Sequence, residues 1–294
     1  MKKLAVGIVG LGYWGKRYLE TLQRVSDCRI LLCDVNGKSL PTVNASNIVD
    51  YDTMLASKDV DAVIIATPDA THYQLGRRAL LYGKDVLVEK PMALNVGEAE
   101  DLVITARRMN RILAVAHTPL FSEGYQWLRN ELKNSRLASV VKVEALRTSR
   151  GRINESSPLW DLASHDIAIG ISLFGKPRKI TLQLNSHRAC KYELTFSNNI
   201  LFTGEARWEG PPFQRKLSVI TENETYQFEE PVGIIPSVNH LPLTALIQDF
   251  IRCCLHRQQP INNGELGKEV VACLEKLARE SIMEYEIISD NTRL

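Results

Sequence analysis

The feature that most narrows what this chain can fold into is a short apolar run that ends in spaced glycines. Residues 4–9 lead directly into Gly10-Leu11-Gly12-Tyr13-Trp14-Gly15, and a segment of helical period follows. In a strand–turn–helix unit of this kind the first glycine permits a tight turn. The second lets a diphosphate approach the backbone, and the third lets the helix pack closely on the strand. The helix start then offers unbonded N–H groups and a partial positive charge to an anion. The opening Met1-Lys2-Lys3 plus apolar run also resembles the first regions of a secretory signal. No A-x-A site follows, and Lys16 and Arg17 arrive with helical spacing, so a buried first strand is expected instead.

The pattern continues through the first 118 residues. LAVGIV, RILLCD, DAVIIAT, DVLVEK and ILAVAH are apolar runs of strand length, separated by helical stretches at 14–24, 71–82 and 95–109. Strands that are apolar on both faces belong to a parallel sheet covered by helices. Alternation of this type predicts an α/β class with a doubly wound Rossmann sheet and ligands at the carboxyl ends of the strands.

The second half changes character. Residues 138–147 and four further runs between 179 and 228 alternate like strands, with short links such as Ser197-Asn198-Asn199. Short links imply a mainly antiparallel, open sheet. Helical patterns at 161–174, 243–256 and 264–288 complete an α+β domain. The expected division is therefore 1–118 for the dinucleotide-binding domain and 119–294 for a substrate and dimerisation domain.

Composition excludes several function classes. The chain has 294 residues, 45% hydrophobic and 24% charged, the balance of a soluble globular protein. A formal charge of +2 provides no basic stripe for nucleic acid. The longest apolar stretch is too short for a bilayer, so no membrane partner is expected. The six cysteines show no CxxC spacing and read as reduced thiols of a cytoplasmic protein. Cys253 and Cys254 fall in an apolar helical segment and read as packing. The histidines lack metal-ligand spacing, so no metal is expected. Trp127 and Trp208 read as core or interface residues.

Asp34 ends the second strand, 19 residues beyond Gly15. A carboxylate there accepts hydrogen bonds from an adenosine ribose and repels a 2′-phosphate, which favours NAD over NADP. The alternative is a solvated turn aspartate.

The fourth strand ends in Glu89-Lys90-Pro91-Met92. Together with the glycine turn, this EKP sequence resembles the Gfo/Idh/MocA family of oxidoreductases. Ala66-Thr67-Pro68 with His72, the stretch WDLASHDI at 160–167, and the closing PLTALIQDFIRCC and QPINNGELGKEVVACLEKLARES also match. The similarity spans essentially the whole chain. It implies a two-domain NAD(P)-dependent dehydrogenase or reductase acting on the CH–OH group of a sugar, sugar nucleotide or cyclitol. The resemblance assigns Lys90, Asp161 and His165 to substrate binding and proton transfer.

Elementary chemistry agrees with that assignment. Oxidising a secondary alcohol needs a base for the hydroxyl proton and an acceptor for the hydride. Asp161 and His165 are four apart and share a helix face, where a carboxylate can orient an imidazole. They could equally form a surface ion pair, and Lys90 could be solvated. Besides the glycines and Asp34, cofactor contacts are expected from Tyr13, Trp14, Glu89, Lys90, and from Thr67, Pro68 and His72 on the nicotinamide side. Those last three could also be a plain turn and helix start. His117 either touches the site or caps the domain junction. Arg147, Arg150 and Arg152 form a basic cluster that binds an anionic part of the substrate, or else a solvated loop.

Three departures from the family pattern stand out. Only 16 residues separate Asp34 from Tyr51, leaving little room for a second helix. Ala168 stands where an acid often follows the family histidine, and the chain is short. Self-association as a homodimer or homotetramer is expected through an apolar open sheet face. Two competing readings are a reductase of a non-sugar substrate on the same fold and a dinucleotide-binding regulator without turnover.

Overall fold

A computed structural model describes residues 3–25, 28–35, 49–134, 139–150, 156–209, 213–229 and 241–291. The chain divides into two compact units, Met1–Thr118 with His240–Lys268 and Pro119–Asn239 with Glu269–Leu294.

The first unit contains β1 (Ala5–Val9), α1 (Tyr13–Val25), β2 (Arg29–Cys33), α2 (Tyr51–Ala56), β3 (Ala62–Ile65), α3 (His72–Leu81), β4 (Asp85–Val88), α4 (Val96–Arg108) and β5 (Leu113–Val115). All strands are parallel, in the order β2-β1-β3-β4-β5. Every residue of β1, β3, β4 and β5 is buried, as continuous Val/Ile/Leu runs require. Ala5–Val9 is thus a central strand. The strand order reverses between β1 and β3, which opens a crevice at their carboxyl ends. A short α2 does fit after Asp34. Asp50 caps it, its side chain accepting from the Thr53 N–H. Residues 36–48 lie outside the described residues.

Helix α7 (Leu241–His256) belongs to this unit and packs on α1. Beyond it the Asn262 side chain donates to the Val115 carbonyl at 2.5 Å, and the Val115 N–H donates to the Asn262 carbonyl at 2.8 Å. A single boundary at 118 therefore misses the return of residues 240–268. Local pattern marks α7 as amphipathic but not which apolar surface it covers.

The second unit holds α5 (Glu123–Lys133), β6 (Val140–Ser149), α6 (Ser164–Phe174), β7 (Lys179–Asn185), β8 (Ala189–Thr195), β9 (Leu201–Trp208), β10 (Arg215–Thr221), β11 (Thr225–Glu229) and the later part of α8 (Gly264–Asn291). Its sheet has six strands, one more than expected, in the order β11-β10-β6-β9-β8-β7. Pairing is antiparallel except for β6 with β9, which run parallel. One face, with Val143, Ala145, Leu194, Phe202, Leu217 and Val219, is buried. Phe196 and Phe202 press against Gly170 of α6, and Phe228 against Gly124 of α5.

The opposite face is more polar than expected. It is charged: Lys142 pairs with Glu144 at 2.5 Å, Lys191 with Glu205 at 3.3 Å, and Lys216 with Glu229 at 2.8 Å. Arg207 also pairs with Glu205. Cross-strand ion pairs such as Lys191–Glu205 make a face that water can cover. Of Val141, Val143, Leu182, Leu184, Leu194, Phe196, Leu217 and Val219, the apolar residues of the strand runs, only Val141 and Leu184 are exposed, at 44% and 41%. Leu146, Leu201 and Ile220 lie half-buried among these ion pairs, so the face is mixed in character.

Candidate active site

The glycine turn meets the steric demands read from the sequence. Gly10 has φ of 86°, and a Cβ there would lie 2.6 Å from the Ala66 carbonyl oxygen. A Cβ on Gly15 would lie 1.8 Å from the Gly10 carbonyl oxygen, so only glycine lets α1 sit this close to β1. Gly12 is different: a Cβ there meets nothing within 4 Å. Its backbone faces open space, the approach a diphosphate needs at the start of α1. The Leu11 N–H donates to Asp34 Oδ2 at 2.6 Å, which holds the carboxylate beside the turn. Tyr13 is exposed, makes an edge contact with Trp14, and carries the Arg17 guanidinium over its ring at 4.5 Å. These residues fit an adenine dinucleotide.

A buried polar cluster stands at the carboxyl ends of β3, β4 and β5. Glu89 accepts from the Tyr18 hydroxyl at 2.7 Å and from the Lys90 N–H at 3.2 Å. Burial raises the Glu89 pKa, opposed by the Tyr18 hydrogen bond and by the charge of Lys90. Lys90 is itself buried, which removes the solvated reading. His117 lies within electrostatic reach of Lys90. Its pKa falls to about 3, first because it is buried and then because of the Lys90 charge. His72 is fully buried, with Nδ1 2.7 Å from the Pro91 carbonyl oxygen and Nε2 2.8 Å from that of Thr67. It ties the loop after β3 to the turn after β4. Any effect of His72 on a cofactor passes through that loop, which carries Thr67 and the exposed Pro68.

Tyr18 was not anticipated. It lies three residues past Gly15 on the inner face of α1, beside Leu19 and Leu22. A tyrosine on a buried helix face needs a partner for its hydroxyl, and that was the available signal.

The low His117 pKa has a measurable consequence. The folded state disfavours the charged imidazole relative to the unfolded chain, whose histidine titrates near 6.5. The stability this contributes is fully present above about pH 6.5 and is lost as the pH falls toward 3. His117→Asn should flatten the acid limb of urea stability measured across that window. An unchanged limb would show that other groups dominate it.

In the second unit Asp161 falls in a π-helical turn, Leu159–Ala163, that runs into α6, where His165 is the second residue. π-helical turns often occur at functional sites. Both side chains are half-buried. The Trp208 indole N–H points at Asp161 Oδ2 at a long 3.4 Å, from the end of β9. Trp208 is thus a core residue with a polar tip on a predicted site residue, a contact that spacing in sequence cannot reveal.

Of the predicted arginine cluster, Arg147 turns inward. Arg147 is buried and donates to Asp166 Oδ1 from Nε at 3.0 Å and from Nη2 at 2.7 Å. It is an internal ion-pair partner and not a substrate contact. Strand parity was the missed signal, since Val143, Ala145 and Arg147 share the inner face. Arg150 is exposed just after β6, and Arg152 lies outside the described residues. Ala168 is fully buried, as a small apolar residue at its position on α6 allows.

Residues 4–117 match the oxidoreductase family with an NAD-binding Rossmann fold, Gfo/Idh/MocA. The match covers β1 to β5 of the first unit, which is less than half of the chain. Among similar proteins, an uncharacterized oxidoreductase of Schizosaccharomyces pombe is 33% identical over 155 residues, 49% of this chain and 42% of that protein. The UDP-N-acetylglucosamine 3-dehydrogenase of Acidithiobacillus ferrooxidans is 27% identical over 179 residues, 60% of this chain and 56% of the enzyme. The match thus spans about half the length of these curated relatives. A structure of the latter enzyme superposes with a TM-score of 0.81 and 20% identity, covering 94% of this chain and 97% of that one. The myo-inositol 2-dehydrogenase of Lactobacillus plantarum superposes with a TM-score of 0.82 and 17% identity, covering 96% and 98%. At these identities the superpositions establish the fold. Among the described residues no helix is long and apolar enough to cross a membrane.

Proposed function

We propose that this protein is a Gfo/Idh/MocA oxidoreductase that depends on NAD and acts on a secondary hydroxyl or ketone of a sugar, sugar nucleotide or cyclitol. The observation that carries the reading is Lys90, buried beside Glu89 and His117 at the carboxyl edge of the sheet that bears the glycine turn. An ammonium ion held out of water there needs a reason, and polarising a reacting oxygen supplies one. The substrate class is supported by the relatives that act on a nucleotide sugar and on inositol.

The roles divide by unit. In the first unit the glycine turn and Asp34 hold the dinucleotide, whose nicotinamide supplies hydride acceptance when bound. Lys90 binds the reacting oxygen, and His117 stays a neutral imidazole at working pH. In the second unit His165 takes the hydroxyl proton, directly or through a water it holds, and Asp161 orients it. Trp208 steadies Asp161.

Asp34 makes the cofactor preference testable. Leu11 holds its carboxylate beside the turn, where a 2′-phosphate would bring a second negative charge close. NADH is expected to bind at least about tenfold tighter than NADPH, a difference of about 1.4 kcal/mol. Fluorescence titration with each nucleotide measures it, and equal or tighter NADPH binding would reverse the assignment. A screen of sugars, nucleotide sugars and cyclitols by NADH absorbance tests the reaction itself. NADH binding without hydride exchange on any of them would favour a regulator over an enzyme.

A further inference from the structure

A pocket of about 420 Å³ opens at the amino-terminal edge of the first unit's sheet, opposite the edge that carries the glycine turn. Its walls come from residues just before β1, β3, β4 and β5 and from the end of α7. Five cationic side chains line it, Lys3, Lys58, Lys84, Arg111 and Arg257, against two carboxylates, Asp61 and Asp85.

Ordinary structural duties account for part of this charge. Asp85 accepts from the Ile112 N–H at 2.9 Å and from Arg257 at 2.6 Å, and Arg257 also donates to the Asn110 carbonyl at 2.7 Å. Lys84 donates to the Ser57 and Val60 carbonyls at 2.6 and 2.9 Å. Asp61 accepts from the Ala5 N–H at 2.9 Å. Cations at this edge suit the carbonyl ends of helices, which carry partial negative charge.

Those duties do not account for Arg111. Its Nε is buried and has no hydrogen-bond partner among the described residues. The guanidinium lies against Gly83, where a Cβ would come within 3.6 Å of Nη2. Lys58 stands exposed at the rim of the same pocket. Arg111 lines the pocket and the surrounding field is positive, so an anion is favoured there. A guanidinium edge matches the oxygens of a phosphate, and several cations favour a dianion over a single carboxylate.

We propose that this pocket binds a phosphate group, free or carried on a small ester, through Arg111 and Lys58. The site is separate from the dinucleotide cradle, because the two lie at opposite ends of the same strands. Its ligand is therefore an effector and not the cofactor's own diphosphate.

Calorimetric titration of the full chain with inorganic phosphate and with glycerol 3-phosphate, at constant ionic strength, tests this. Each titration is run with and without saturating NADH. Saturable binding that persists with NADH present is expected. Arg111→Ala should weaken it at least about tenfold, as loss of a charge-assisted contact implies, with NADH affinity unchanged. Lys58→Ala, at an exposed position that leaves folding intact, should weaken it severalfold. Tighter binding of the ester identifies an ester as the ligand, and equal binding identifies free phosphate. The proposal is overturned if neither anion gives saturable heat, if Lys58→Ala and Arg111→Ala both bind like the parent, or if phosphate displaces NADH.

Discussion

Arg147→Met is expected to destabilise the second unit by about 3–5 kcal/mol, the usual cost of removing one partner of a buried ion pair. Arg147 and Asp166 are both buried, and two donors of the guanidinium meet one carboxylate oxygen. Without Arg147 the carboxylate loses those donors in a region that also holds the fully buried Tyr192. The double replacement Arg147→Met with Asp166→Leu should recover most of the loss, since an apolar pair of similar volume avoids the stranded charge. Urea unfolding followed by tryptophan emission reads both, because Trp127, Trp160 and Trp208 all belong to this unit. A single variant that loses less than about 1 kcal/mol would show that water reaches the pair, as it does for exposed salt bridges.

His165→Ala should lower turnover by roughly 10²- to 10⁴-fold while leaving NADH affinity nearly unchanged. That range equals about 3–5 kcal/mol of transition-state stabilisation. NADH affinity should hold because the glycine turn and Asp34 belong to the other unit. In the oxidation direction the parent's rate should rise as the base loses its proton, and the variant should lose that limb. Lys90→Ala should raise KM more than His165→Ala does, since Lys90 is assigned to holding the reacting oxygen. A His165→Ala enzyme that keeps more than half the parental kcat and the same pH profile would move the base elsewhere. Lys90 would be the next group to examine.

Much of the first unit follows from local chemistry alone. Five apolar runs with helical stretches between them can bury both sheet faces only as a parallel, helix-covered sheet, and that is what forms. The glycine turn was equally legible from its spacing, although only Gly15 meets a nearby group, the Gly10 carbonyl, while Gly10 is confined by the distant Ala66 carbonyl. Glu89 and Lys90 could be singled out by their position at a strand's end. Their burial, and the Tyr18 hydroxyl and His117 beside them, depend on how α1 and β5 pack against that end.

The second unit was less legible. Its strands could be recognised from their alternation, yet the sixth strand, the parallel pairing of β6 with β9 and the whole of α5 were missed. Short links reveal antiparallel neighbours, but β6 and β9 are separated by α6 and two strands, so nothing local records their direction. The face that each strand turns to water was also out of reach. Alternation divides residues into two sets without saying which is inside, and here the charged set covers itself with ion pairs.

Sequence by itself determined the strands of the first unit, its glycine turn and the residue types able to carry hydride chemistry, because apolar runs and turn residues act over a few positions. Only the tertiary structure decided the fate of Arg147, the return of α7 to the first unit and the partners of Glu89 and Asp161. Each depends on side chains far apart in the chain, and burial there decides whether a charge is solvated, paired or held ready for a ligand.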